Sequence, residues 1–207
     1  MKKLLVAALM MYTILMLSGC GDGGGGSSPP PVVVTQVVTS ILSTLAYDGD
    51  ILNGTTVSLS APSVLAGRDP FSFLASEYRA FLVFPLTGLG GVPGSAFIDA
   101  ATLDIFIDNI RPVNGLIPIR IELVSYPPQT LLPSYFYRIN LPPLASMTTT
   151  IFSTDYLNHV RVDVTALMAE AQRLKLPDFQ IRILEDDTFV FPDGLIEIND
   201  TTINRAP

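Results

Sequence analysis

The chain has no tryptophan, one histidine and one cysteine in 207 residues. A single cysteine excludes an internal disulfide and any site built on paired thiolates. A lone histidine, His159, cannot by itself make a zinc site, which takes three or four protein ligands. No G-x-S-x-G elbow occurs, so nothing points to a serine nucleophile that His159 might serve, and it reads as a structural loop residue. Positive charge is also scarce, with 12 Lys and Arg against 19 Asp and Glu and a net charge of −7. Such an acidic surface makes nucleic acid and anionic headgroups poor partners. Nineteen acidic residues bring some pair to glycosidase spacing by chance, so their number does not argue for an enzyme. The chain is expected to be non-catalytic.

The one cysteine, Cys20, sits in LSGCGDGGGGSSPPP, after Lys2, Lys3 and the uncharged run LLVAALMMYTILML. Basic start, apolar run and small residues before a cut are the parts of a secretory signal. The run is short of the roughly 20 apolar residues that a membrane span needs. Leu17-Ser18-Gly19-Cys20 resembles the bacterial lipobox. That resemblance implies cleavage before Cys20 and its acylation, and several acyl chains on one residue anchor a protein firmly. The alternative is an ordinary signal peptide with an incidental cysteine. Gly21 is not the aspartate that marks inner-membrane retention in enterobacteria, so by that analogy the bacterial outer membrane is the expected destination. The Gly/Ser/Pro stretch that follows is a flexible tether with a stiff end. The expected organisation is a signal peptide over 1–19, the lipidated cysteine and linker over 20–40, a β-sandwich domain over 41–200 and a tail over 201–207.

From Val32 onward, short apolar and β-branched runs alternate with a period of two and are cut by Pro, Gly, Asn and Asp. In AATLDIFIDNI the inward set is Leu103, Ile105 and Ile107, with Thr102, Asp104, Phe106 and Asp108 outward. In LIPIRIELVSY, Ile117, Ile119, Ile121 and Leu123 face in, while Arg120 and Glu122 face out. EYRAFLVFPL, HVRVDV, DFQIRILE and GLIEIND are further strands. Half-apolar antiparallel strands at this spacing predict a two-sheet β-sandwich, jelly-roll-like, with one short helix over TALMAEAQRLK. Thr165 is the expected N-cap and Pro177 the stop, and Asp163 is placed to accept backbone hydrogen bonds at the helix start. YPPQTLLPSYFYRINLPPLASMTTT reads as a long loop with at most one strand, around Tyr135 to Asn140.

Three blocks carry a family resemblance: Tyr78-Arg79-Ala80-Phe81-Leu82-Val83-Phe84-Pro85-Leu86, Ile98-Asp99-Ala100-Ala101-Thr102-Leu103, and Val162-Asp163-Val164-Thr165 leading into the helix. Their order resembles the DNRLRE-domain proteins, bacterial jelly-roll modules that include some carbohydrate-binding domains. The resemblance spans roughly Tyr47 to Asn199. The chain departs from that family in lacking its tryptophan and a recognisable Arg-Glu-type terminal segment. Fold and ligand class implied by the resemblance are a jelly roll and a polysaccharide.

Carbohydrate modules hold sugar rings on flat aromatic faces, and Tyr126, Tyr135 and Tyr137, with Phe136, are the clustered aromatics of the chain. Ordinary core packing accounts for the same cluster. Tyr47-Asp48-Gly49-Asp50 resembles half of a calcium loop, so Asp48 and Asp50 are candidate ligands of a structural calcium, with Asp186 and Asp187 as distant contributors. A turn with solvated aspartates is the competing reading. Expected partners are the membrane, through Cys20, and either a polysaccharide or, alternatively, an envelope protein.

Overall fold

The computed structural model describes residues 35–73, 76–93, 96–112, 114–186, 188, 194–200 and 207. Cys20 and Asp187 lie outside them. The compact unit runs from Val37 to Pro207. Among the described residues its strands are β1 (Gly49–Leu52), β2 (Thr56–Leu59), β3 (Ser63–Arg68), β4 (Glu77–Pro85), β5 (Thr102–Pro112), β6 (Leu116–Val124), β7 (Ala145–Phe152), β8 (His159–Asp163), β9 (Asp178–Glu185) and β10 (Gly194–Asn199), with one α-helix, α1 (Thr165–Arg173).

All strand pairs are antiparallel. One layer runs β2-β1-β4-β9-β6-β7 and the other β3-β10-β5-β8, joined where Gly67 and Arg68 pair with Tyr78 and Glu77. The fold is therefore an antiparallel β-sandwich, as the alternation predicts. Between the layers lie Leu103, Ile105 and Ile107 of β5, Ile117, Ile119, Ile121 and Leu123 of β6, Ile181 and Ile183 of β9, and Ile196 and Ile198 of β10. Burying each such side chain favours folding by about 1.5–3 kcal/mol. From α1, Leu167 and Ala171 add to this core.

A second apolar cluster lies on the opposite face of the first layer. Ile51, Phe81, Val83 and Val124 are covered there by Tyr126, Leu131, Phe136 and Leu141 of the segment after β6. Strand β4 is thus buried on both faces, which is why AFLVF is an unbroken apolar run. The covering segment, here the strap, contains a 3-10 turn at Pro133–Phe136 and no strand around Tyr135 to Asn140, within the expectation of a long loop with at most one strand there. Pro133 fits the first turn because it has no N–H to leave unpaired. The end of the expected loop, ASMTTT, is instead the start of the edge strand β7, pairing with β6 from Leu123 to Leu116.

Two local expectations need correction. Thr165 is the first helical residue, not the cap: its N–H donates to Asp163 Oδ1 at 2.9 Å, and its hydroxyl accepts from the Ala101 N–H at 2.9 Å. Asp163 takes the capping role, as its position before the helix suggested. Gly49 and Asp50 do not form a turn but lie in β1, and Asp48 and Asp50 are buried rather than solvated.

Candidate binding groove

The strap is held by charge. Glu122 faces away from the main core, as alternation requires, yet it is 1% exposed because the strap lies over it. Its Oε2 accepts from Arg182 Nε at 2.8 Å and Nη2 at 2.5 Å, and its Oε1 from Arg138 Nε at 2.8 Å. Arg182, 0% exposed, also donates to the carbonyls of Tyr135 at 2.7 Å and Leu141 at 3.1 Å. Arg79 donates to the Phe136 carbonyl and stacks its guanidinium 4.0 Å from the Phe136 ring centre. The Gln180 amide, in turn, pairs with both peptide groups of Tyr126, at 2.8 and 2.9 Å, as a neighbouring strand would. All these contacts serve the strap itself.

The tyrosines expected to meet a ligand belong to this construction. Tyr126 is buried, edge-on to Phe81 with centroids 5.8 Å apart, and Tyr135 lies against its ring at 5.3 Å. Tyr137 is 48% exposed and lies across Gly54 in the β1–β2 turn, where a Cβ would come within 2.7 Å of its ring. Positive φ at Gly54 (67°) suits the turn, and the missing side chain makes room for the ring. Among the described residues these tyrosines form no continuous aromatic platform.

The two aspartates are separated in role. Asp48 Oδ1 accepts from the Val83 N–H at 2.7 Å, and its carboxyl meets that of Asp200 beside Ser43. Burial, then the charge of Asp48 and a shared hydrogen bond, pushes Asp200 up to about 8; burial raises Asp48 as well. Paired carboxyls of this kind share a proton. Asp186 pairs with Arg120. Among the described residues no three His, Cys, Asp or Glu side chains gather as a metal site. His159, expected in a loop, opens β8 on the outer surface, with Nδ1 2.7 Å from Asp104 Oδ1 and its ring edge-on to Phe106.

Asp50 instead lines a groove of about 610 Å³ between the β1–β2 ribbon and the outward side of β3 and β10. The ribbon continues the first layer past β4 and folds over β3, so that Asp50 Oδ2 accepts from the Leu65 N–H at 3.2 Å. Ser63, Leu65, Leu195 and Glu197 reach the groove because their neighbours Val64, Ile196 and Ile198 point into the core. Tyr78 enters from β4 and Arg111 from β5. Arg111 pairs with Asp69 at 3.3 Å, and Glu197 accepts from the Ser63 hydroxyl at 2.8 Å. Burial pushes Asp50 up to about 6. Burial and the charges of Asp50 and Asp69 raise the Tyr78 phenol, against the opposing effect of Arg111. Sequence reasoning reached Asp50 but not Tyr78, Asp69, Arg111 or Glu197. These come from four separate segments, and only the alternation of β10 hinted that Glu197 faces outward.

No protein-family model matches the chain, and no curated protein matches it. Among the described residues no helix is long and apolar enough to cross a membrane.

Proposed function

We propose that the protein is a bacterial envelope lipoprotein, anchored through Cys20 at the outer membrane, whose β-sandwich binds polysaccharide without catalysis. The groove carries this reading. It combines a half-buried aromatic, Tyr78, with carboxylates, a guanidinium and the hydroxyls of Thr56, Ser58 and Ser63. A polyhydroxylated ring needs many donors and acceptors on one wall and an apolar face on another, and the groove offers both. Leu52, Leu65 and Leu195 supply such walls here. The lipobox-like Leu17-Ser18-Gly19-Cys20 and the glycine-rich tether support the anchor.

Two experiments test the reading. Cys20→Ser is expected to leave the leader uncut or to release the protein from membranes; processed protein that stays membrane-bound contradicts the anchor. A ligand that binds only the folded state raises the melting temperature. Melting the chain against a panel of envelope and plant polysaccharides should yield at least one upward shift that Tyr78→Ala abolishes. A second reading, a structural protein that docks on an envelope partner, draws on the exposed Phe71, Phe73, Leu89 and Phe97. It is favoured if no glycan shifts the melt.

A further inference from the structure

The lining of the groove is unbalanced in charge. Among the described lining residues, Asp50, Asp69 and Glu197 bring three carboxylates and Arg111 the single guanidinium. Arg111 is already paired with Asp69. Glu197 is held by the Ser63 hydroxyl. Asp50 differs from both: it is 5% exposed, its Oδ2 takes one backbone N–H, and its Oδ1 receives no hydrogen bond from a described residue. That oxygen is not sealed off in the interior but open to the groove that Asp50 lines, and a charged donor is the strongest hydrogen-bond partner it can take there. A bare divalent ion is a poor answer, since it needs six or more oxygens converging on one point and the described residues form no such cluster.

We propose that the groove selects an amine-bearing sugar, whose ammonium group hydrogen-bonds Asp50 Oδ1 and lies in the field of Asp69 and Glu197. This rests on the polysaccharide-binding reading and narrows it to glycans with unacetylated amino groups. Thr56, Ser58 and Ser63 face the hydroxyls of the same ring, and Tyr78 its flat side. An N-acetyl group in that place removes the positive charge and adds bulk next to a buried carboxylate.

The test compares glucosamine oligomers with N-acetylglucosamine oligomers and a neutral glucan, titrated calorimetrically into the full chain in detergent. One charge-assisted hydrogen bond corresponds to about a tenfold difference in Kd. The amine-bearing oligomer is expected to bind about tenfold tighter than the acetylated one. Asp50→Asn, which keeps an acceptor for the Leu65 N–H, should erase that preference, and Glu197→Gln should weaken it without removing it. Equal binding of both sugars, unchanged in Asp50→Asn, overturns the amine selectivity and leaves the polysaccharide reading standing. Binding of oligolysine with no binding of any glycan overturns both, in favour of a basic protein partner. No binding of sugars, oligolysine or the polysaccharide panel also overturns both.

Discussion

Glu122→Gln tests the claim that a buried ion pair fixes the strap over the first layer. The carboxylate serves three guanidinium hydrogen bonds, two from Arg182 and one from Arg138. Glutamine has nearly the same shape but offers one acceptor oxygen and turns an N–H₂ toward one of the two arginines. Arg182, fully buried, then keeps its charge without a counter-ion. Exposed ion pairs contribute about 0–1 kcal/mol, whereas removing one partner of a buried pair costs about 3–5 kcal/mol. The buried case applies here, since the two side chains are 0% and 1% exposed. For a domain of this size each kcal/mol moves the melting temperature by about 2–4 °C. Urea unfolding of Glu122→Gln should therefore show a loss of about 3–5 kcal/mol, and its melting point should fall by roughly 10 °C. Replacing both partners, as in Glu122→Met with Arg182→Met, removes the unpaired charge but strands the Tyr135 and Leu141 carbonyls, so recovery should be incomplete. A loss under about 1 kcal/mol for Glu122→Gln would refute the argument, because it is the value for a solvated pair.

Gln180→Ala removes both partners of the Tyr126 peptide groups, and denaturant titration should register a loss of about 2–4 kcal/mol from two buried groups left unpaired. Asp50 and Asp200 hold protons up to about 6 and about 8 in the fold, against about 3.9 in an unfolded chain. The native state therefore binds more protons than the unfolded state across that interval, so stability should fall as pH rises from about 4 to about 8. Asp200→Asn should remove much of the decline between pH 6 and 8 in melts recorded across that range, and an unchanged profile would contradict the paired-carboxyl reading. At Gly67, φ is +107° and a Cβ would come 2.1 Å from the Gly194 carbonyl, so Gly67→Ala should cost about 2 kcal/mol or more on unfolding.

Strands whose one face meets solvent were plain in the sequence, because alternation reports a single buried face. Strand β5 is such a case, and its inward set was placed correctly. The strap was not legible for a related reason. Five prolines and four aromatics between Tyr126 and Thr150 mark a long excursion, but nothing local says that it folds back over β4. The usable signal lay elsewhere, in the unbroken AFLVF of β4, which has no polar face to give to water. Glu122 misleads by composition: it reads as an outward residue and is, yet the outside is covered, and Arg182 is buried there with it. Asp50 stands out in the sequence for its carboxylate and its neighbour Asp48. Its role in the groove depends on β1 folding over β3, a contact between segments that a linear pattern does not encode.

The most direct test of polysaccharide binding in the groove is hydrogen exchange of the full chain, with and without each glycan of the panel. At least one glycan should slow exchange across 50–69 and 195–197, the ribbon, β3 and β10. No protection with any glycan, or protection confined to the strap at 125–144, would contradict the account.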